Sequence, residues 1–547
     1  MTPSLIRGRP RRATSPLSAR VAHAVLGAVV AALWLVLPGM TTDTGRPAAI
    51  APGGRGPSAT AQRQEVEETA IADLVLPLLA LAAAVVLGAY GYARRARRTR
   101  TRTTPGAPPV RHTPGSPLAE PAERARDSLV AADDWVRTSR EELAFAALRS
   151  DASALEPYTR ALRAAEAELA AAFRMRRHYD EGMPADESAR RQALAGISGR
   201  CAEVGRLLDE AAPGFDRLRG LEVDLGGALE TAEARFRELA GRTQAAEAAL
   251  VGLAQRYPAA ASAPVVGHPE QAKDRLVFAT LRLNRSRQCA DRGETARAIA
   301  HLRAAEAAVT QAETFVTGVT RLATELTEAT TLVPAALTGA ETELAGARER
   351  TADPSTPTSA GARGKPAVGP SREFWERDGL TAGELTVGEA RARLAHADAV
   401  LGVVREEVTS GPYDPLDVLH RIVRVTAPVA DGRAGVLATA AALVAGSAVA
   451  AAADFVGTHR GVVGAEARTL LAAAETAAPL PAEALARQAR HLAEQDVRLH
   501  GHPDTTPGTG TGGALLGGIL LSPDPDTAPT ASFGGPTTRA RRAPEPS

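Results

Sequence analysis

One apolar stripe limits the possible folds of this chain more than any other feature. Stepping alternately by three and four from residue 302 gives Leu302, Ala305, Val309, Ala312, Val316, Val319, Ala323, Leu326, Thr330, Val333, Leu337, Ala340, Leu344 and Ala347. Thirteen of the fourteen are apolar, against about six expected from the chain-wide 44%. A seam of this period predicts a long helix packed lengthwise on others, coiled-coil-like. Pro334 lies inside it and predicts a break or kink, with a new helix starting there.

Composition agrees with side-by-side helices. Aromatic residues make up only 3% of the 547 residues, so the apolar content is mostly Ala, Leu and Val. Such side chains bury little area each and suit long helices better than a compact aromatic core. Leu162, Ala165, Leu169, Ala172 and Phe173 mark another helical face. The turns ADRGETARAI, GPYDPLDVL and APLPAEAL each set Gly or Pro beside an acid before a helix resumes, and read as three helical hairpins. The stretch from Pro258 separates two helices. Residues 351–371 read as a disordered linker, and Phe374 and Trp375 open a second helical block that ends near Leu499.

The N-terminal part reads as membrane-anchored. Arg7, Arg9, Arg11, Arg12 and Arg20 precede an apolar run from Val25 to Leu37, a first spanning helix or a signal peptide. Ile71 to Ala93 is a 23-residue span with one charge, Asp73. Arg94, Arg95, Arg97, Arg98, Arg100 and Arg102 follow it. By the positive-inside rule this cluster is cytoplasmic, with everything after it. It also suits anionic lipid, at about 1 kcal/mol per Arg. Ala434 to Ala453 is 20 residues without charge, but mostly Ala and Gly, and reads as a buried helix rather than a third span.

No chemistry stands out. Of 64 basic residues only Lys273 and Lys365 are Lys, and Asn284 is the only Asn, a bias expected of a GC-rich genome. With a net charge of +1, general nucleic-acid binding is not expected. Cys201 and Cys289 read as two reduced thiols packed as small apolar groups, a redox pair being the alternative. His500 and His502 form the only close histidine pair and read as surface residues rather than ligands. Gly508, Gly510 and Gly513 match a dinucleotide-loop spacing only by composition, and GARGKP (361–366) falls short of a phosphate loop. The acid pairs Asp133-Asp134 and Glu141-Glu142 read as solvated helix surface.

Several segments resemble a known family. ELAAAFRMRRHYDEGMPADESARRQALAGISGRCAEVGRLLDE (168–210), GHPEQAKDRLVFATLRL (267–283), AAEAAVTQAETFVTGVTRLA (304–323), AAADFVGTHRGVVGAEARTLLA (451–472) and a tail with GGALLGGILL and SFGG are similar to the cytoplasmic part of bacterial TPM-domain-containing membrane proteins. The likeness covers roughly 71–547. It implies a signal peptide, an extracytoplasmic TPM domain, one span, a helical region and a Gly-rich tail. Where the TPM domain would stand, this sequence has only Thr41 to Ala70. A domain of roughly 100 residues cannot fit there, so no TPM role carries over.

The expected protein is therefore all-α, made of long antiparallel helical hairpins in a coiled-coil-like bundle. Its segments are a basic N-terminus (1–20), a first transmembrane helix or signal peptide (21–40), a short outer loop (41–70), a span (71–93) and an Arg-rich linker (94–121). Helical regions at 122–350 and 373–500 flank a linker at 351–372, and 501–547 is a disordered tail. The expected function is that of a non-enzymatic scaffold at the plasma membrane, with its bulk cytoplasmic. It would bind a protein partner or itself and take no cofactor, metal or small-molecule substrate. An anionic-lipid or envelope-stress sensor is the alternative.

Overall fold

A computed structural model describes residues 118–352, 386–432, 434–500, 515–516, 519–520 and 532–542. The chain divides into two units, Met1–Pro109 and Val110–Ser547, and every described residue belongs to the second. Both N-terminal apolar segments, the six-arginine cluster, the linker after Ala352 and the Gly508–Gly513 match lie outside the described residues, as does GARGKP.

The described residues are helical apart from turns and one two-residue ladder. α1 (Ala119–Ala146), α2 (Ala152–Asp180) and α3 (Glu187–Arg219) come first. α4 (Leu225–Arg256), the one-turn α5 (Ala259–Ser262), α6 (His268–Asp291) and α7 (Thr295–Ala352) follow. Then come α8 (Val387–Ser410), α9 (Pro415–Thr426), α10 (Gly435–Thr458), α11 (Ala465–Ala474) and α12 (Pro479–His500). In the tail, Leu515–Leu516 pairs antiparallel with Ile519–Leu520, and α13 spans Pro536–Arg542.

Local chemistry sets the boundaries. Asp186, Asp224, Thr386 and Asp414 cap their helices by accepting backbone N–H groups of the first turn. Gly220 ends α3 in the left-handed region at φ 55°. The three Gly/Pro-acid turns do join consecutive helices: α6 to α7, α8 to α9 and α11 to α12. The first pair is antiparallel. Ser286 Oγ donates to Ala298 O at 2.7 Å, and His268 packs on Phe315 with ring centroids 5.1 Å apart.

Four apolar cores lie along this scaffold. α1–α3 share one, and α4–α6 share another with the first half of α7. The second half of α7 packs with α8, α9 and the start of α10. The end of α10 packs with α11 and α12. The predicted stripe is the spine of this arrangement. All its members are buried except Ala323, Thr330 and Leu337, which are half-buried.

Pro334 does not end the helix. α7 runs 58 residues straight through it. The proline points to solvent, while Val333, Ala336 and Ala340 around it stay fully buried. The packed seam outweighs the missing hydrogen bond and the ring clash, about 3 kcal/mol together.

α10 contains the uncharged stretch. It has 24 residues with a mean hydropathy of 2.0, long and apolar enough by length and composition to cross a membrane. In the bundle Leu437, Ala440 and Val444 enter one core and Ala452 and Val456 another. Two polar contacts tie it to α7: Ser447 Oγ donates to Glu325 at 2.6 Å, and Arg321 pairs with Asp454 at 2.7 Å.

Candidate functional site: a groove that holds the tail

The groove lies on α1, α2 and α3, and residues of the tail fill it. Phe533 is 0% exposed. Its ring stacks on Phe215 at 4.4 Å between centroids and meets the edge of Tyr158 at 6.3 Å. Gly534 follows at φ +130°, a conformation side chains rarely tolerate, and its N–H donates to Ser139 Oγ at 3.2 Å.

Gly535 then crosses α3 at Gly205. A Cβ on Gly535 would lie 2.7 Å from Gly205 Cα, and a Cβ on Gly205 would lie 2.7 Å from Pro536 Cδ. Neither position has room for a side chain. Asp209, one turn along α3, accepts the N–H groups of Gly535, Thr537 and Thr538 at 2.9, 3.0 and 2.9 Å. Asp209 thereby caps α13, whose own first-turn donors have no partner within the helix. Burial works against ionisation of Asp209, yet its bonds with Thr538 and Thr537 hold the carboxyl below the ordinary range. Arg539 donates to Asp134 O at 3.4 Å, and Arg542 pairs with Asp216.

The disordered-tail expectation is thus corrected for 532–542. Composition alone reads Gly-Gly-Pro-Thr-Thr as uncommitted chain. Here the two glycines permit backbone contact, and the proline opens a helix. The SFGG signal was visible in sequence only as part of the family resemblance.

Asp216 connects the groove to a buried ionic network. Arg303 reaches Asp216 at 3.4 Å and Glu142 at 3.3 Å. Arg219 lies 3.5 Å from Glu142 and bonds both oxygens of Glu306, at 2.8 and 2.6 Å. Burial raises the Glu306 carboxyl to about 7, Arg219 opposing and Glu142 adding to the effect.

Across α1 from the groove is a half-open cleft of about 670 Å³ with Leu169, Phe173 and Leu471 among its lining. Its arginines are mostly paired: Arg137 with Asp133 at 2.9 Å, Arg140 with Glu166 at 2.6 Å and Arg177 with Glu181 at 2.9 Å. Arg468, 1% exposed, holds Asp133 at 2.6 Å and Asp134 at 2.8 Å. Burial opposes charge on Asp133, but Arg137 and Arg468 keep its carboxyl below the usual range. The acid pairs of α1 are therefore not solvated surface. Asp133 and Glu142 are buried, and Glu141 bonds Arg460 at 2.6 and 3.0 Å. Apart from Arg137 on α1 itself, their partners come from segments distant in sequence, which a reading of α1 alone could not supply.

Cys201 and Cys289 are free and buried, as two packed thiols would be. Burial pushes the Cys201 thiol up to about 12. Among the described residues no group of three or more His, Cys, Asp or Glu side chains is placed to hold a metal ion.

The chain matches no family model. Two Mycobacterium tuberculosis proteins are similar to it: UPF0603 protein MT2410 (strain CDC 1551 / Oshkosh) and UPF0603 protein Rv2345 (strain ATCC 25618 / H37Rv). Each is 28% identical over 432 residues, covering 74% of this chain. The match spans 62% of each relative's length. No solved structure matches. The relationship seen is thus a distant one to these actinobacterial UPF0603 proteins, and no family model extends it to the TPM-domain family.

Proposed function

We propose that this chain is a membrane-tethered helical scaffold that works by binding protein segments and performs no reaction of its own. The observation that carries this reading is the seated tail: a short segment held through one buried aromatic, two glycines and a capping carboxylate. Extended and helical peptides are recognised in this way, by pockets for anchor side chains plus main-chain hydrogen bonds. In this reading the segments before Arg102 anchor the protein in the plasma membrane, the helices are cytoplasmic, and the likeness to TPM-domain membrane proteins reflects kinship through that helical region. The binding partner is a protein or a second copy.

The test uses the full chain carrying Phe533→Ala, to weaken its own tail, and a labelled peptide TASFGGPTTRARR (530–542). Saturable binding is expected, with affinity reduced at least about tenfold when the peptide carries Gly535→Val, a change of about 1.4 kcal/mol or more. Equal binding of both peptides, or of neither, refutes the reading.

The juxtamembrane arginines Arg94, Arg95, Arg97, Arg98, Arg100 and Arg102 favour a second reading, contact with anionic lipid. It requires that binding to vesicles containing phosphatidylglycerol fall steeply with salt. Binding that ignores ionic strength would remove it.

A further inference from the structure

We propose that the tail segment Ser532–Arg542 of one copy docks in the α1–α3 groove of a second copy, joining two chains by reciprocal exchange. This rests on the peptide-binding reading of the groove and names its partner.

The docking surface is self-contained. Every hydrogen bond from the tail segment to the bundle ends between Asp134 and Asp216. The two rings that hold Phe533 belong to Tyr158 and Phe215, within the same span. Among the described residues of the bundle, none that follows Asp216 makes one of these hydrogen bonds or ring contacts; Arg303 and Arg460 act only on the charges of Arg542 and Arg539. The geometry is therefore the same whichever copy supplies the segment.

Chain length does not confine the tail to its own groove. α12 ends at His500 and the docked segment starts at Ser532. With the 515–520 hairpin kept, the rest of the intervening chain, at no more than about 3.5 Å per residue, can reach on the order of 95 Å. The longest helix of the bundle, the 58 residues of α7, extends about 87 Å. The linker therefore does not force the tail into the groove of its own copy.

Selectivity points to a second copy rather than to an unrelated protein. The contact at Gly205 accepts only a residue without a side chain, the preceding residue needs φ near +130°, and the pocket before it takes an aromatic ring. The chain carries that sequence itself. Exchange of an identical element between protomers needs no new interface, and when reciprocal it closes as a twofold pair rather than an open filament.

The experiment separates tail from groove in the full, detergent-solubilised chain. Phe533→Asp disables the tail and leaves the groove. Asp209→Arg disables the groove and leaves the tail. The wild type is expected to self-associate, each variant alone to lose at least about 90% of that association, and the mixture to regain mixed pairs through its one good tail and one good groove. Circular dichroism checks folding, and Gly205→Leu serves as the groove variant if Asp209→Arg is not helical.

Two results would overturn the exchange. Association retained by both variants puts the interface elsewhere. A monomeric wild type with no mixed pairs, while the 530–542 peptide still binds the Phe533→Asp chain, confines the tail to its own groove and leaves the peptide-binding reading intact. Loss of peptide binding as well would remove that reading too.

Discussion

Arg468 and Asp133 stand 335 positions apart in sequence, yet their side chains meet at 2.6 Å with both groups almost wholly buried. The guanidinium also bonds Asp134, Val463 O and Val130 O, so α11 and its preceding loop are locked onto α1. Removing Arg468 leaves the buried Asp133 with Arg137 alone and frees the groups of Asp134, Val463 and Val130 that the guanidinium held. Arg468→Ala is expected to cost about 3–5 kcal/mol in urea unfolding. Arg140→Ala, whose pair with Glu166 is half-exposed, is expected to cost under about 1 kcal/mol.

Arg275 presents the opposite case. It is 0% exposed, none of its three guanidinium nitrogens reaches an acceptor, and its ring contact is Phe315 at 4.9 Å. Burial pulls its pKa down to about 10, and Asp274 only partly offsets this. A cation–π contact offers about 0.5–2 kcal/mol, less than a buried unpaired charge costs. Arg275→Met should raise the urea midpoint, a stabilisation of about 1–3 kcal/mol. A loss of stability would contradict this account of the α6–α7 interface.

Glu306 gives stability a pH signature. Its folded pKa, about 7, lies above the ordinary glutamate value, so the folded state holds a proton that the unfolded chain has released. Its contribution is present at pH 4 and lost as pH rises through 7. His268, lowered to about 4 chiefly by burial, acts oppositely: stability grows as pH rises from 4 to 6.5. Between pH 4.5 and 6.5 the two effects oppose and largely cancel, and Glu306 alone lowers the unfolding free energy from about pH 6.5 to 7. Glu306→Gln should remove that fall and uncover the His268 rise, so that the variant's unfolding free energy climbs between pH 4.5 and 6.5 where the wild type's stays nearly level.

Pro334→Ala tests how α7 passes its proline. The helix is continuous and the site exposed, so restoring the N–H and removing the ring should stabilise by up to about 3 kcal/mol in thermal melts. In the same helix, Leu326→Ala should destabilise by about 2–5 kcal/mol, because its side chain is fully buried.

These contrasts show what the sequence made legible. The alternate three-and-four spacing found a continuous part of the inner face of α7, because one helix's periodicity is a local property, but missed buried neighbours such as Phe315, Leu322 and Ala329. Pro334 misled because local propensity was outweighed by packing that only the assembled bundle supplies. Asp133 and Glu142 misled for a related reason: besides Arg137 on α1, their counter-charges arrive from Arg468, Arg219 and Arg303, on helices distant in sequence. The tail was hardest to foresee. Gly534 and Gly535 look the same in composition whether they loosen a chain or let two backbones touch, and only Gly205 on the facing helix distinguishes the cases.

The cap on α13 has one more consequence. Seven residues are too few to hold a helix alone in water, and the carboxylate that completes this one belongs to Asp209, on another element. Helicity at 536–542 should therefore rise and vanish with occupancy of the groove. Slow solvent exchange of the Thr537 and Thr538 amide protons becomes a built-in gauge of how often the tail is home, readable without any label.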